Sequence, residues 1–385
     1  MTTKIKVLQV IPKLGYGGAE TGCYDLAHFL SEKDCISYIA TSGGKLLKFV
    51  KKDKVRIFRL PVHSKNPILI LFNAIVLSIL IFIYNINIVH ARSRAPAWSC
   101  YLACLITGRN FITTFHGTYN FKNKIKKFYN SIMLRSKLTI AGSNFIFNHI
   151  NESYNQFLNR KKKLRVIFRG INIDYYNKKN ISIVKQERLK KEWELFPNRF
   201  IILLPGRLTA WKGQERFIEA LNILIEDYNN LNFQAIILGS DQGRKVYKKK
   251  LVNLVDRYRL SKKIKFIDHC KEMPLAYSIA DAVVSSSIEP EAFGRVSVEA
   301  QAMEKPIIAS NLGGSKETIL NKKSGFLYKH DDPRELAKTL NTVIELDQDT
   351  LNLIGNEGRK NIIKKFDVES MCDSTLREYK KLLNI

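Results

Sequence analysis

Phe200-Ile-Ile-Leu-Leu-Pro-Gly-Arg-Leu-Thr-Ala-Trp-Lys-Gly213 sets the fold class. An apolar run of strand length, Phe200–Leu204, stops at Pro205-Gly206, and a helix reads from Gln214 to Asp227. The pattern repeats outward in both directions. Towards the C-terminus, strands are expected at Phe233–Leu238, Ile264–Ile267, Ala282–Ser285, Pro306–Ala309 and Gly325–Tyr328, with helices at Gly243–Tyr258, Gly294–Met303 and Asp332–Leu346. Towards the N-terminus, strands are expected at Val7–Ile11, Val55–Leu60, Ile86–His90, Phe111–Phe115, Leu138–Ala141 and Leu164–Phe168, most of them separated by helix-like segments. Short β runs alternating with helices imply parallel sheets covered by helices on both faces.

A polar stretch, Asn172–Lys191, divides the two series and reads as a linker. The expected class is α/β, with two doubly wound, Rossmann-like parallel-sheet domains at 1–175 and 176–367. Open parallel sheets bind ligands outside the carboxyl ends of their strands. Two such domains facing one another would share a cleft, and the active site is expected there.

The 385 residues contain 45% hydrophobic side chains, enough for two cores, and the net charge is +28. Such a charge suits nucleic acid, an anionic membrane surface, or a Lys-, Ile- and Asn-rich coding bias. No zinc-finger, KH or RRM signature supports the first, so no nucleic-acid partner is expected. The six cysteines show no CxxC pairing and no neighbouring histidine cluster, so neither a zinc site nor a disulfide framework is expected. The cysteines read as buried reduced thiols of a cytoplasmic protein, and the N-terminal run Lys4–Ile11 is too short for a signal peptide and reads as a first strand. Ile68–Tyr84 is nearly uninterrupted apolar sequence. As a helix it spans about 26 Å, short of a bilayer core of about 30 Å. A span would also separate strands that one sheet needs, so a core or interfacial helix is expected. The charge runs Lys161–Lys163 and Lys248–Lys250 read as solvated faces.

Four places carry candidate chemistry. Gly15-Tyr-Gly-Gly-Ala-Glu20 follows the first strand and opens a helix, so Gly17 and Gly18 allow close approach of a phosphate. It completes neither G-x-G-x-x-G nor a P-loop, and a plain tight turn is the alternative. His116, in Phe115-His-Gly-Thr118, ends a strand on the rim of the first sheet, where it could bond a sugar hydroxyl or steady developing charge. A lone structural histidine is the alternative. Arg207 and Lys212 follow the Phe200–Leu204 strand beside a helix start and suit the clamping of a diphosphate, Arg207 by bidentate bonds and Lys212 as a point charge. The most specific element is Glu289-Pro-Glu-Ala-Phe-Gly-Arg-Val-Ser-Val-Glu-Ala300. Glu291 lies in a loop, Glu299 about one turn into a helix, and the N–H groups at Phe293 and Gly294 point towards a pyrophosphate. Gly239, at the end of the Phe233–Leu238 strand, and Arg295 complete the expected donor-binding set.

The order of these motifs resembles the family 4 glycosyltransferases, which have the GT-B fold. Gly-Gly-Ala-Glu20, His116-Gly117, Gly206-Arg-Leu208, Lys212-Gly213 and the Glu-x7-Glu pair Glu291 and Glu299 occur in sequence over nearly the whole chain. The resemblance implies transfer of a hexose or N-acetylhexosamine from a UDP- or GDP-sugar with retention of configuration, without a metal or other cofactor. It places Gly18 against the phosphates, Glu291 and His116 against the donor sugar, Glu299 against the ribose, and Arg207 and Lys212 against the departing diphosphate. Catalytic roles are thus expected for His116, Glu291, Arg207 and Lys212. It implies a helix near Val368–Leu383 returning to the first domain, which adds 368–385 to 1–175. It suggests a lipid-linked, lipopolysaccharide or polysaccharide acceptor of a bacterial envelope. Arg169-Gly170 stands where the family often has Asn-Gly, a position expected to be peripheral to catalysis.

Asn120–Lys137 interleaves Lys122, Lys124, Lys126, Lys127, Arg135 and Lys137 with aromatic and aliphatic residues. As a helix it would lie on an anionic leaflet, with Ile68–Tyr84 adding an apolar contact. A sugar-nucleotide 2-epimerase and a glycogen-synthase-like elongase are rival readings on a similar fold. The first would not need the Glu-x7-Glu element, and the second would begin with a Lys-Thr-Gly-Gly-Leu type motif. A basic nucleic-acid-binding protein is the rival of another class.

Overall fold

The computed structural model describes residues 4–158 and 163–385. The chain divides into two compact units, Met1–Gly170 with Val368–Ile385, and Ile171–Asp367. The first contains β1 (Ile5–Val10), α1 (Gly18–Glu32), β2 (Cys35–Thr41), β3 (Val55–Arg59), α2 (Pro67–Ile83), β4 (Ile88–Ala91), α3 (Arg94–Thr107), β5 (Asn110–Phe115), α4 (Lys124–Ser131), β6 (Leu138–Ala141), α5 (Asn144–Tyr154) and β7 (Lys163–Val166). The second contains α6 (Ile183–Glu192), β8 (Phe200–Pro205), α7 (Gln214–Glu226), β9 (Phe233–Leu238), α8 (Lys245–Arg257), β10 (Ile264–Ile267), α9 (Met273–Ser278), β11 (Ala282–Ser285), α10 (Arg295–Ala302), β12 (Ile307–Ser310), α11 (Ser315–Thr318), β13 (Phe326–Tyr328), α12 (Pro333–Ile344) and α13 (Gln348–Lys365). The last helix, α14 (Val368–Leu383), belongs to the first unit.

The first sheet runs β3-β2-β1-β4-β5-β6-β7 and the second β10-β9-β8-β11-β12-β13. Every pairing is parallel. Both orders start from a central strand, step outward one way, then return to its other side. Each sheet therefore has a switch point where successive crossovers diverge, between β1 and β4 and between β8 and β11. The inner strands β4, β9, β11 and β12 are buried at every position, as a sheet covered on both faces requires.

Several expectations are corrected. β2 was not among the expected strands, because Ser37 and Thr41 break its apolar run. Both polar groups are buried, and the strand pairs with β1 and β3. The linker Asn172–Lys191 is partly helical and lies within the second unit. The units divide at Gly170 rather than at 175, because Ile171 N–H donates to the Phe366 carbonyl at 2.9 Å and Arg359 donates to the Tyr176 carbonyl at 2.8 Å. The basic segment Asn120–Lys137 is helical only over Lys124–Ser131, where the Asn123 side chain caps the Lys126 N–H. Ile132, Met133 and Leu134 then turn inward and are buried. Of the run Lys161–Lys163, residues 161 and 162 lie outside the described residues.

α2 is neither a core helix nor a span. Asn66 caps it, Pro67 occupies its first turn, and it ends at Tyr84. One face, with Asn73, Ala74, Leu77 and Ile81, is buried, and α2 packs on α3. Ile68, Leu71, Phe72, Ile75, Ile79 and Phe82 recur at helical spacing on the other face and are exposed. No helix among the described residues is long and apolar enough to cross a membrane.

α14 closes the first unit. Cys372, Leu376 and Tyr379 are buried in one cluster with Ile5, Val7, Leu26 and Leu30. The Tyr379 hydroxyl lies 2.6 Å from His90 Nδ1, and His90 Nε2 lies 2.7 Å from the Thr114 hydroxyl.

Candidate active site

In the second unit, the loops after β8 and β11 flank the switch point and interlock. Gly213 has φ +71°, and a Cβ there would lie 1.9 Å from the Ser286 carbonyl oxygen, so only glycine fits. The Ser286 hydroxyl donates to the Lys212 and Gly213 carbonyls at 3.0 Å, and Ile288 N–H to the Trp211 carbonyl at 2.9 Å. These bonds bring Lys212 to the loop after β11, where its Nζ donates to Glu291 Oε1 at 2.7 Å.

Glu291 is held from three directions. The Ser287 hydroxyl donates to Oε1 at 2.6 Å, the Ser285 hydroxyl at 3.4 Å, and Gly314 N–H to the Glu291 carbonyl at 2.7 Å. Burial alone would raise its pKa. The Lys212 charge and the bonds from Lys212, Ser287 and Ser285 outweigh that and hold the carboxyl below its ordinary value. The expected diphosphate cation and the expected sugar carboxylate are thus paired with each other. Ser285 and Ser287, which sequence reasoning missed, orient the carboxylate. Their signal was hydroxyls at the end of an expected strand, four and six residues before the glutamate.

Arg207 follows β8, with its carbonyl accepting from Gln214 Nε2 at 2.9 Å. Its side chain is exposed, with no ion-pair partner among the described residues. Gly239 follows β9 at the same edge, its N–H donating to the Ile267 carbonyl at 2.8 Å.

Gly294, in left-handed conformation, is the N-cap of α10, and Phe293 beside it is buried against Phe366. Glu299 is not solvated: it is 5% exposed, accepts from the Tyr277 hydroxyl at 2.7 Å and pairs with Arg295. Glu299, together with burial, shapes its neighbours. Its charge raises the pKa of Arg295, and burial followed by that charge pushes the Tyr277 and Tyr176 phenols up. Tyr277 and Tyr176 were also missed, and nothing in their local sequence marks them.

In the first unit, the carboxyl ends of β1, β4, β5, β6 and β7 bring Gly18, Arg92, His116, Gly142 and Arg169 together. Gly17 caps α1. A cavity of about 20 Å³ is lined by Arg92, His116, Gly142 and Arg169 among others. Both ring nitrogens of His116 are buried without a partner. Burial first, then the charges of Arg92 and Arg169 and the nearby His90, hold its pKa well below the ordinary value, so the imidazole is neutral. Arg169 lies against the glycine loop: a Cβ on Gly18 would lie 2.2 Å from Arg169 Nη2. A larger hollow, about 560 Å³, is lined by Lys122, Lys124, Lys127, Phe121, Phe128 and Phe157. Among the described residues, no group of three His, Cys, Asp or Glu side chains could hold a metal ion.

The structure therefore gathers the expected residues into two groups. Lys212, Glu291, Arg207, Gly239, Phe293, Gly294, Arg295 and Glu299 stand at the carboxyl edge of the second sheet, and Gly17, Gly18 and His116 at that of the first.

Comparison with known proteins follows this division. The family model described as "Glycosyltransferase Family 4" matches residues 16–175, and that described as "Glycosyl transferases group 1" matches residues 185–361. A crystal structure of a glycosyltransferase from Rickettsia africae is 37% identical, with 99% of each chain covered and a TM-score of 0.90. Anabaena HepE, in complex with UDP and glucose, is 24% identical over 98% of this chain and 100% of its own, with a TM-score of 0.82. An uncharacterized glycosyltransferase of Methanocaldococcus jannaschii is 26% identical over 95% of this chain and 94% of its own.

Proposed function

Because the chain belongs to the family 4 glycosyltransferases and has their GT-B fold, its reaction is glycosyl transfer, and we propose that it is a retaining enzyme. The donor is a nucleoside diphosphate hexose or N-acetylhexosamine, and the acceptor is a lipid-linked or polysaccharide glycan. The observation that carries this reading is the Lys212–Glu291 pair at the β8/β11 switch point, beside the N-terminus of α10.

The chemistry needs positive charge where the diphosphate departs. Lys212 and the exposed Arg207 supply it, without a metal, and the α10 N-terminus at Phe293 and Gly294 adds its partial charge. Glu291, ionised and fixed by three donors, presents its remaining acceptor capacity to donor-sugar hydroxyls. Glu299 accepts the ribose hydroxyls. The bond between the anomeric carbon and the phosphate oxygen breaks, its electrons leaving with the diphosphate. The acceptor oxygen bonds to that carbon on the same face, and its proton passes to the departing phosphate, so no protein base is required. The neutral His116 serves as a hydrogen-bonding group for the sugar.

HepE, which shares the fold, was crystallised with UDP and glucose, so UDP-sugars are the first donors to test and GDP-mannose the comparison. The exposed apolar face of α2 and the exposed lysines of α4 favour a site of action on an anionic membrane surface. The test is a panel of nucleotide sugars scored by thermal shift and slow donor hydrolysis. One donor gives both signals, and Glu291→Ala and Lys212→Ala lose them. Hydrolysis that survives both substitutions overturns the reading. A salt-dependent affinity for DNA without donor hydrolysis favours the nucleic-acid rival.

A further inference from the structure

The hollow of about 560 Å³ in the first unit has a volume usual for a small-ligand site, and it contains none of the residues gathered at the two carboxyl edges. Its cations are Lys122, Lys124 and Lys127. No carboxylate lines it, and none of the three lysines makes an ion pair among the described residues. Its walls are the rings of Phe121, Phe128 and Phe157, and they are braced from behind. Phe121 and Phe157 stand 5.5 and 6.5 Å, centroid to centroid, from the fully buried Tyr154, and Phe128 stands 5.9 Å from Trp98. Tyr154 is itself fixed: Asn130 Nδ2 donates to its hydroxyl at 2.9 Å, and that hydroxyl donates to the Tyr119 carbonyl. Lys127 Nζ lies 4.9 Å from the Phe121 ring centre, which holds one cation over the wall. Asn123 and Gln156 add side-chain amides. Phe121 follows His116 by five residues, so the hollow opens no more than about 18 Å from it along the chain.

We propose that this hollow is an acceptor subsite, taking a phosphorylated sugar of the acceptor that does not itself react. Ammonium groups without carboxylate partners suit a phosphate. Phenyl faces carry partial negative charge and suit the polarised C–H face of a sugar ring. The amides of Asn123 and Gln156 suit its hydroxyls. An acyl chain would use the rings and leave both amides without a role. A nucleic-acid strand needs stacking positions in series, whereas the three rings here surround one space. The separation from His116 is within reach of a short oligosaccharide whose far end carries the phosphate. That the phosphorylated sugar belongs to an acceptor rests on the glycosyltransferase reading, and the binding chemistry does not.

The test is calorimetric titration of the full chain with glucose 6-phosphate, mannose 6-phosphate, glucose and inorganic phosphate, with UDP and GDP in excess to fill the donor site. A hexose phosphate binds more tightly than glucose or inorganic phosphate. Lys122 and Lys124 are exposed, so Lys122→Ala with Lys124→Ala keeps the thermal midpoint and weakens hexose phosphate binding about tenfold or more. Phe128→Leu keeps an apolar side chain but loses the ring, and it weakens the hexose phosphate severalfold while leaving inorganic phosphate as it was. Absent binding, equal affinity for hexose phosphate and inorganic phosphate, or binding that survives both variants overturns the subsite. So does an oligonucleotide that displaces the hexose phosphate. Sedimentation with anionic vesicles that depends on Lys122 and Lys124, in a chain that ignores hexose phosphates, overturns it as well and makes the hollow a bilayer contact. Wild-type donor hydrolysis without hexose phosphate binding removes the subsite alone. Lysine-dependent binding without hydrolysis of any donor removes the proposed reaction alone.

Discussion

Lys212 Nζ and Glu291 Oε1 are 2.7 Å apart, and both side chains are largely buried, at 14% and 10% exposure. Removing one partner strands the other charge. Lys212→Ala should destabilise the second unit by about 3–5 kcal/mol and lower kcat by about 10²–10³. Lys212→Met with Glu291→Gln should recover most of the thermal midpoint and none of the activity. Calorimetry and initial rates on the two variants check this, and a Lys212→Ala protein as stable as wild type would refute it.

Glu299 is fixed by the Tyr277 hydroxyl and by Arg295. Tyr277→Phe removes one bond to a charged acceptor, worth about 1.5–3 kcal/mol. Part of the loss should appear as a higher donor KM with kcat nearly unchanged, because the ribose is not the reacting centre. A fall in kcat at constant KM would contradict the assignment.

Acid should weaken the first unit. Burial, then Arg92, holds His90 well below its ordinary pKa, and His116 is held down likewise. Both are neutral in the fold, whereas the unfolded chain protonates them below about pH 6.5. The unfolded state then binds more protons. Stability is therefore full above about pH 6.5 and is lost as pH falls below it, by up to about 1.4 kcal/mol per unit for each histidine. Denaturant midpoints between about pH 7.5 and about pH 5.5 measure the slope, and His116→Gln should flatten it. An unchanged slope in that variant would show that His116 contributes nothing.

The apolar face of α2 should insert shallowly into anionic bilayers. Ile75 and Ile79 are exposed on it, so Ile75→Glu with Ile79→Glu should change stability by less than about 0.5 kcal/mol. Donor hydrolysis should stay the same, and co-sedimentation with anionic vesicles should be lost. Undiminished sedimentation would point away from α2.

The sequence shows those parts of the fold that are written locally. β8 and α7 were legible because an uninterrupted apolar run meets Pro205-Gly206 and then a helix. β2 was not, because its burial comes from the strands on either side of it. Glu291 and Lys212 were legible as chemistry, but their pairing was not, since it depends on Ser286 tying together loops far apart in sequence. Arg92 and Arg169 were the least legible. Each follows a strand by one to three residues, and only the parallel order of the sheet puts those strand ends on one edge.

His90 and Tyr379 meet across 289 residues. A helix made only after the whole second unit is thus the one that seals Ile5, Val7, Leu26 and Leu30. Although domains usually mature in the order of their synthesis, the unit begun first here is finished last, after the whole of Ile171–Asp367 has emerged. A stop codon anywhere between Ile171 and Val368 therefore does its damage far upstream, leaving β1 and α1 greasy and open to chaperones.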